Sequence, residues 1–181
     1  VEINQNFMVS NLCVPELVEP DDSKFNALLD LIRNKFLSKI VNSTKYERVY
    51  ISRKKAKNGR KILNEDELIS LLSNYDFRII ETEKMSLLRQ VEIFYDTSFL
   101  VGAHGAGMIH SLFMKNKSTV IELFSPVYIN YCCTKNSVEL LSHKYHAVVS
   151  ECTGKYSYGE NQDAPIHIPI KVVKNILDVH K

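Results

Sequence analysis

The sequence predicts an α/β fold: a Rossmann-like parallel sheet with helices on both faces. Three observations predict it. Short apolar runs alternate with helix-patterned segments from Glu47 onward, and strands separated by helices of this length form parallel sheets. One apolar run, Ser98-Phe99-Leu100-Val101, ends in the glycine-spaced turn Gly102-Ala103-His104-Gly105-Ala106-Gly107, and a helical pattern resumes at Met108. Finally, 181 residues with 45% hydrophobic and 24% charged content suffice for one domain with a sizeable core, or one domain plus an appendage. The expected division is an extended segment and helix over 1–45, followed by a ligand-binding domain over 46–181.

The elements follow in order. Residues through about Pro20 lack sustained periodicity and read as extended chain, and Pro20-Asp21-Asp22-Ser23 announces a helix. Phe25, Leu28, Leu29, Ile32, Phe36 and Ile40 then recur at helical spacing and make one apolar face. Arg48–Ser52 reads as a strand, followed by a basic loop from Arg53 to Lys61. Asn64-Glu65-Asp66-Glu67 has the form of a capping box, with Asn at the cap and Glu three residues on. It opens a helix that buries Leu68, Ile69, Leu71 and Leu72. Phe77–Glu81 is the next strand, and Ser86 or Thr82 caps a helix through Phe94. The strand at 98–101, the glycine turn and a helix through about Met114 come next. The strand Thr119–Leu123, a helix near 131–143, the strand His146–Val149 and a helix near 170–180 complete the series.

Composition excludes several functions. A net charge of +2 gives no bulk electrostatic drive toward nucleic acid, and the nine Tyr and eight Phe do not alternate with basic residues. No apolar run approaches the roughly 20 residues that span a bilayer, and no signal peptide is legible at the start. The expectation is a cytoplasmic protein, or the trimmed lumenal part of a secretory-pathway one. Cys13, Cys132, Cys133 and Cys152 contain no Cys-x-x-Cys pair and read as reduced thiols rather than metal ligands.

Chemistry concentrates at predicted strand ends, where ligands gather on such sheets. A tight turn between strand and helix leaves backbone N–H groups unpaired, which suits an anion and above all a phosphate. Gly102, Gly105 and Gly107 do not follow G-x-G-x-x-G, so a dinucleotide cofactor is not indicated. The alternative is that these small residues only let a helix pack closely on the sheet. Arg53 follows its strand directly, and a guanidinium offers phosphate a rigid fork of donors. Lys54, Lys55, Lys57, Arg60 and Lys61 read as a solvated basic loop. Glu122 ends an apolar strand, where a carboxylate can accept from the vicinal hydroxyls of ribose. His104 and His110 lack zinc-helix spacing, no carboxylate cluster suits magnesium, and no serine sits in a nucleophile elbow.

Ile51-Ser52-Arg53, Arg60, Asn64-Glu65, Glu83, Gln90, Val101-Gly102-x-His104-Gly105-Ala106-Gly107, Phe113 and Val120-Ile121-Glu122-Leu123 together resemble the glycosyltransferase 61 family. The ordered series spans about residues 48–125. His110 stands where the family commonly has Asn, and Asp96-Thr97 where small apolar residues are usual. The resemblance implies the carboxyl-terminal, donor-binding half of an inverting GT-B transferase. It implies a nucleotide-sugar donor such as a UDP-sugar, a glycan or protein hydroxyl acceptor, a part in polysaccharide biosynthesis, and neither a catalytic metal nor a cofactor. It also implies donor-binding roles for Arg53, Arg60, Asn64, His104, Gly105, Ala106, Gly107 and Glu122. His104 is the candidate catalytic residue, as the acceptor's base or, in the preferred role, as a donor to phosphate. The base otherwise belongs to an acceptor-side domain, for which 181 residues leave little room. The alternative function is a non-catalytic nucleotide or phosphosugar-binding module of a larger complex.

Overall fold

The computed structural model describes residues 23–42, 44–55, 61–130, 134–151 and 164–180. Five strands, β1 (Arg48–Ile51), β2 (Arg78–Ile80), β3 (Phe99–Ala103), β4 (Thr119–Phe124) and β5 (Lys144–Val149), form one sheet in the order β2-β1-β3-β4-β5. Every neighbouring pair is parallel. The α-helices are α1 (Ser23–Leu37), α2 (Glu65–Ser73), α3 (Leu87–Tyr95), α4 (Lys135–Leu140) and α5 (Ile170–Val179). The expected α/β architecture with a parallel sheet and helices on both faces is the one observed.

Strand alternation sorts the core into two layers. Tyr50, Phe99, Val101, Ile121 and Leu123 point toward α2 and α5, where they meet Leu68, Leu72, Val173 and Leu177. Val49, Ile51, Leu100 and Val120 point the other way, against Val91, Ile93 and Phe94 of α3 and Met108, Leu112 and Phe113. On α1, Leu29, Phe36 and Leu37 pack on this second layer. Leu28 and Ile32, expected on the same buried face, are exposed. Arg33 ties α1 down further by donating to the carbonyls of Leu112 at 3.0 Å and Met114 at 3.1 Å.

Local signals explain most boundaries. Ser86 is the cap of α3, accepting from the Arg89 N–H at 3.3 Å. Three acidic residues, Glu65, Asp66 and Glu67, occupy the first turn of α2, where the helix dipole favours negative charge. Asn64 does not cap that helix with its side chain. Its amide instead pairs with the backbone of Ile168, giving and taking hydrogen bonds of 2.9 Å. The expected capping box is therefore replaced by a tie between α2 and the segment entering α5.

The helix after the glycine turn is a 3-10 helix, Ala106–Phe113, rather than an α-helix. Glycine at its start gives little drive toward α winding. The Ser111 hydroxyl, donating to the Met108 carbonyl at 2.8 Å, satisfies that acceptor locally. Cys13, Cys132, Cys133, Cys152 and Arg60, with the expectations placed on them, lie outside the described residues.

Candidate functional site

The strand order reverses at β1. The chain steps outward from β1 to β2, then returns to place β3 on the other side of β1. Crevices for ligands in open parallel sheets form at such a switch point, outside the carboxyl ends of the strands. The register Ile51↔Gly102 brings two loops to that point: Ser52-Arg53 after β1, and His104-Gly105-Ala106-Gly107 after β3. Two of the segments singled out from the sequence are therefore neighbours in space.

Gly102 at the end of β3 and the two glycines of the second loop do different work. Gly105 adopts φ 147°, a conformation that side chains rarely take, and there the chain turns from strand into helix. A Cβ on Gly102 would lie 2.6 Å from Met108 Sδ, so this glycine serves close packing of the 3-10 helix on the sheet. A Cβ on Gly107 would meet Ile51 at an ordinary 3.7 Å. The close-packing reading of the turn thus applies at Gly102. The 3-10 helix starts at the carboxyl end of the sheet, directly after β3.

The β1 exit is held by Glu65, whose importance beyond helix capping was not legible in the sequence. It is buried at the start of α2, and its Oε1 accepts from Tyr50 Oη at 2.9 Å, Ser52 Oγ at 2.7 Å and the Arg53 N–H at 3.1 Å. Burial, and then the Glu65 charge, push the Tyr50 hydroxyl's pKa upward and keep it a donor. Arg53 itself is partly buried and borders a cleft of about 220 Å³ with Lys61, Ile62, Leu63 and Glu65. Lys54 pairs with Asp66, and Lys55 pairs with Glu81 at 2.8 Å. These exposed pairs fit the solvated-loop reading of the lysines.

The β3 exit is held by Glu122. Its carboxylate is fully buried and faces the layer covered by the 3-10 helix. Oε1 lies 2.7 Å from His104 Nδ1, while Oε2 accepts from Thr134 Oγ1 at 2.5 Å and Tyr145 Oη at 2.7 Å. A carboxylate can only accept, so Nδ1 carries the proton of this contact. The His104 ring also stacks on Phe124, with centroids 5.0 Å apart and planes 19° from parallel. A hydroxyl seam continues from Thr134, whose carbonyl accepts from Ser137 Oγ at 2.9 Å, to Ser111 Oγ, 2.5 Å from Ser137 Oγ. Glu122 was expected to offer its carboxylate to ribose. In this arrangement both oxygens already face protein donors, and no part of the side chain is exposed.

Asn64, expected to bind the donor, spends its amide on Ile168, as above. His110, in the 3-10 helix, is buried and stacked on Phe94 at 4.6 Å, and burial pulls its pKa down to about 4. Among the described residues, no group of three or more His, Cys, Asp or Glu side chains is placed to hold a metal. No described helix is long and apolar enough to cross a membrane.

Comparison with known proteins points to one family. Residues 3–121, about two thirds of the chain, match the model of glycosyltransferase 61. The chain is 35% identical over 89 residues to the EGF domain-specific O-linked N-acetylglucosamine transferase of Drosophila melanogaster. That match covers 48% of this chain and 17% of the relative. The mouse protein of the same description is 37% identical over 71 residues, covering 36% of this chain and 14% of that protein. The rat protein is 35% identical over the same length and shares. The chain thus aligns with about a sixth of these relatives' length. With its matched segment spanning both the β1 exit and the glycine turn, this chain belongs to the glycosyltransferase 61 family.

Proposed function

We propose that this chain is the donor-binding part of an inverting glycosyltransferase, holding a nucleoside-diphosphate sugar at the β1/β3 switch point. Family membership and the register that sets the β1 exit beside the β3 exit support this reading. The observation that carries it is the buried His104–Glu122 pair at the glycine turn after β3. In the reaction, an acceptor hydroxyl attacks the anomeric carbon and gives its proton to a base on the acceptor side, the bond from that carbon to the phosphate oxygen breaks, and the diphosphate leaves with added negative charge. Fixed donors aimed at that charge stabilise the transition state because they need not reorganise. Arg53 and the turn's N–H groups serve as those donors. His104, held by Glu122 through Nδ1, is the third group offered to the diphosphate.

The relatives' activity makes UDP-N-acetylglucosamine the first donor to try and a protein hydroxyl the first acceptor. The charge of the diphosphate is met by Arg53, His104 and the turn, so binding is expected without magnesium. Calorimetry of the full chain with UDP, UDP-N-acetylglucosamine and pyrophosphate in EDTA tests this. Heat with UDP and pyrophosphate supports the site, and no heat with any nucleoside diphosphate contradicts it. Binding with no sugar release or transfer would favour the alternative, a non-catalytic nucleotide-binding module.

A further inference from the structure

We infer that Tyr145 is a positioning residue for His104, acting through Glu122; the inference rests on the donor-site reading above. Tyr145 lies on the edge strand β5, paired in register with Val120. It lies outside the run of motifs that carry the family resemblance. Its phenol nevertheless reaches the next inward-facing position of β4 and donates to Glu122 Oε2 at 2.7 Å. Thr134, just before α4, donates to the same oxygen at 2.5 Å.

A buried carboxylate whose second oxygen is held by two hydroxyls has one orientation available, and that orientation aims Oε1 at His104 Nδ1. Without those hydroxyls, Glu122 could rotate and satisfy either oxygen with the imidazole. The ring would then lose both its fixed plane and its fixed tautomer. Two elements remote in sequence from the glycine turn, α4 and β5, thus set the direction of the Nε2 lone pair or proton that meets the ligand. Tyr145 also lines a cleft with Ile129, Lys135, Val138, Glu139 and Ala147.

The test is Tyr145→Phe in the full chain, which deletes the hydroxyl and keeps the ring. Thr134→Val is a second deletion, and Thr134→Ser is its conservative control. The first readout needs no ligand: the imidazole ¹⁵N and ¹H NMR signals of His104. The expected result is a single fixed Nδ1–H form in the parent and in Thr134→Ser, with a shifted or exchange-averaged ring in Tyr145→Phe and Thr134→Val. The second readout is pyrophosphate affinity, expected to fall about 3- to 10-fold in Tyr145→Phe, with Thr134→Ser close to the parent. Parent-like His104 signals in folded Tyr145→Phe and Thr134→Val would overturn the positioning role. If the parent binds no diphosphate, the donor-site reading fails while the NMR comparison still decides the positioning role.

Discussion

Glu65 and Glu122 are two buried carboxylates at the same edge of one sheet, on opposite faces of it. Glu65 accepts three hydrogen bonds on a single oxygen, one of them from the backbone N–H of Arg53. Glu122 divides three contacts over two oxygens, one of them to the ring of His104. The first therefore fixes where the chain leaves β1, and the second fixes how a side chain is turned after β3. Each carboxylate holds a cationic or potentially cationic residue at a strand exit. Buried acidic residues near strand exits can thus serve a ligand site indirectly, by orienting the groups that touch the ligand.

The largest expected effects come from deleting the two acceptors. Glu122→Ala breaks a buried hydrogen-bonded pair and orphans two hydroxyls, so it should cost about 3–5 kcal/mol in stability. Glu65→Ala orphans two hydroxyls and one N–H, at about 1–3 kcal/mol for each group left unsatisfied and with partial relaxation. Urea midpoints for the two variants would break the comparison if either proved as stable as the parent.

A control histidine sharpens it. His110 sits on the same face as His104 but has no carboxylate partner, and its Nδ1 makes no hydrogen bond among the described residues. Burial lowers its pKa to about 4, below the unfolded value near 6.5. The unfolded chain therefore binds the extra proton first, and stability is lost as pH falls through that window. The loss attributable to His110 should reach about 3 kcal/mol near pH 4, at 1.36 kcal/mol per pKa unit. His110→Phe should flatten that part of the stability–pH curve, while an unchanged slope would assign the acid sensitivity elsewhere.

A smaller effect is expected at the ligand. Arg53→Ala should weaken nucleoside diphosphate binding by about 1.5–3 kcal/mol, the scale of a charge-assisted hydrogen bond. Arg53→Lys should restore little, because the fork is lost. Equal affinities in all three proteins, measured by calorimetry, would return Arg53 to the solvated loop.

Periodicity made the fold legible. Strands recognised from Arg48-Val49-Tyr50-Ile51 or Val120-Ile121-Glu122-Leu123 are buried on both faces, so their apolar runs carry little ambiguity. The glycine turn was legible for the same reason, since strand, small residues and helix pattern adjoin in sequence. The 3-10 winding was not, because it depends on a hydroxyl–carbonyl contact within the turn. Partnerships across the sequence were also hidden. Asn64 meets Ile168 and Glu122 meets Tyr145 only once the sheet is assembled, and nothing in local spacing says which carboxylate oxygen will be taken. Glu122 was expected at the end of its strand but lies within β4, which runs on to Phe124, and its direction was not legible at all.

The central claim is that Glu122 acts through His104, and Glu122→Gln measured against two ligands tests it most directly. If the carboxylate orients the imidazole, the amide should weaken UDP and pyrophosphate binding by the same factor, because His104 touches only what the two ligands share. If the carboxylate instead receives ribose hydroxyls, UDP affinity should fall while pyrophosphate affinity stays at the parent value. A thermal melt of the same variant separates both outcomes from loss of folding. Parallel losses are the predicted result, and a loss confined to UDP would contradict the account.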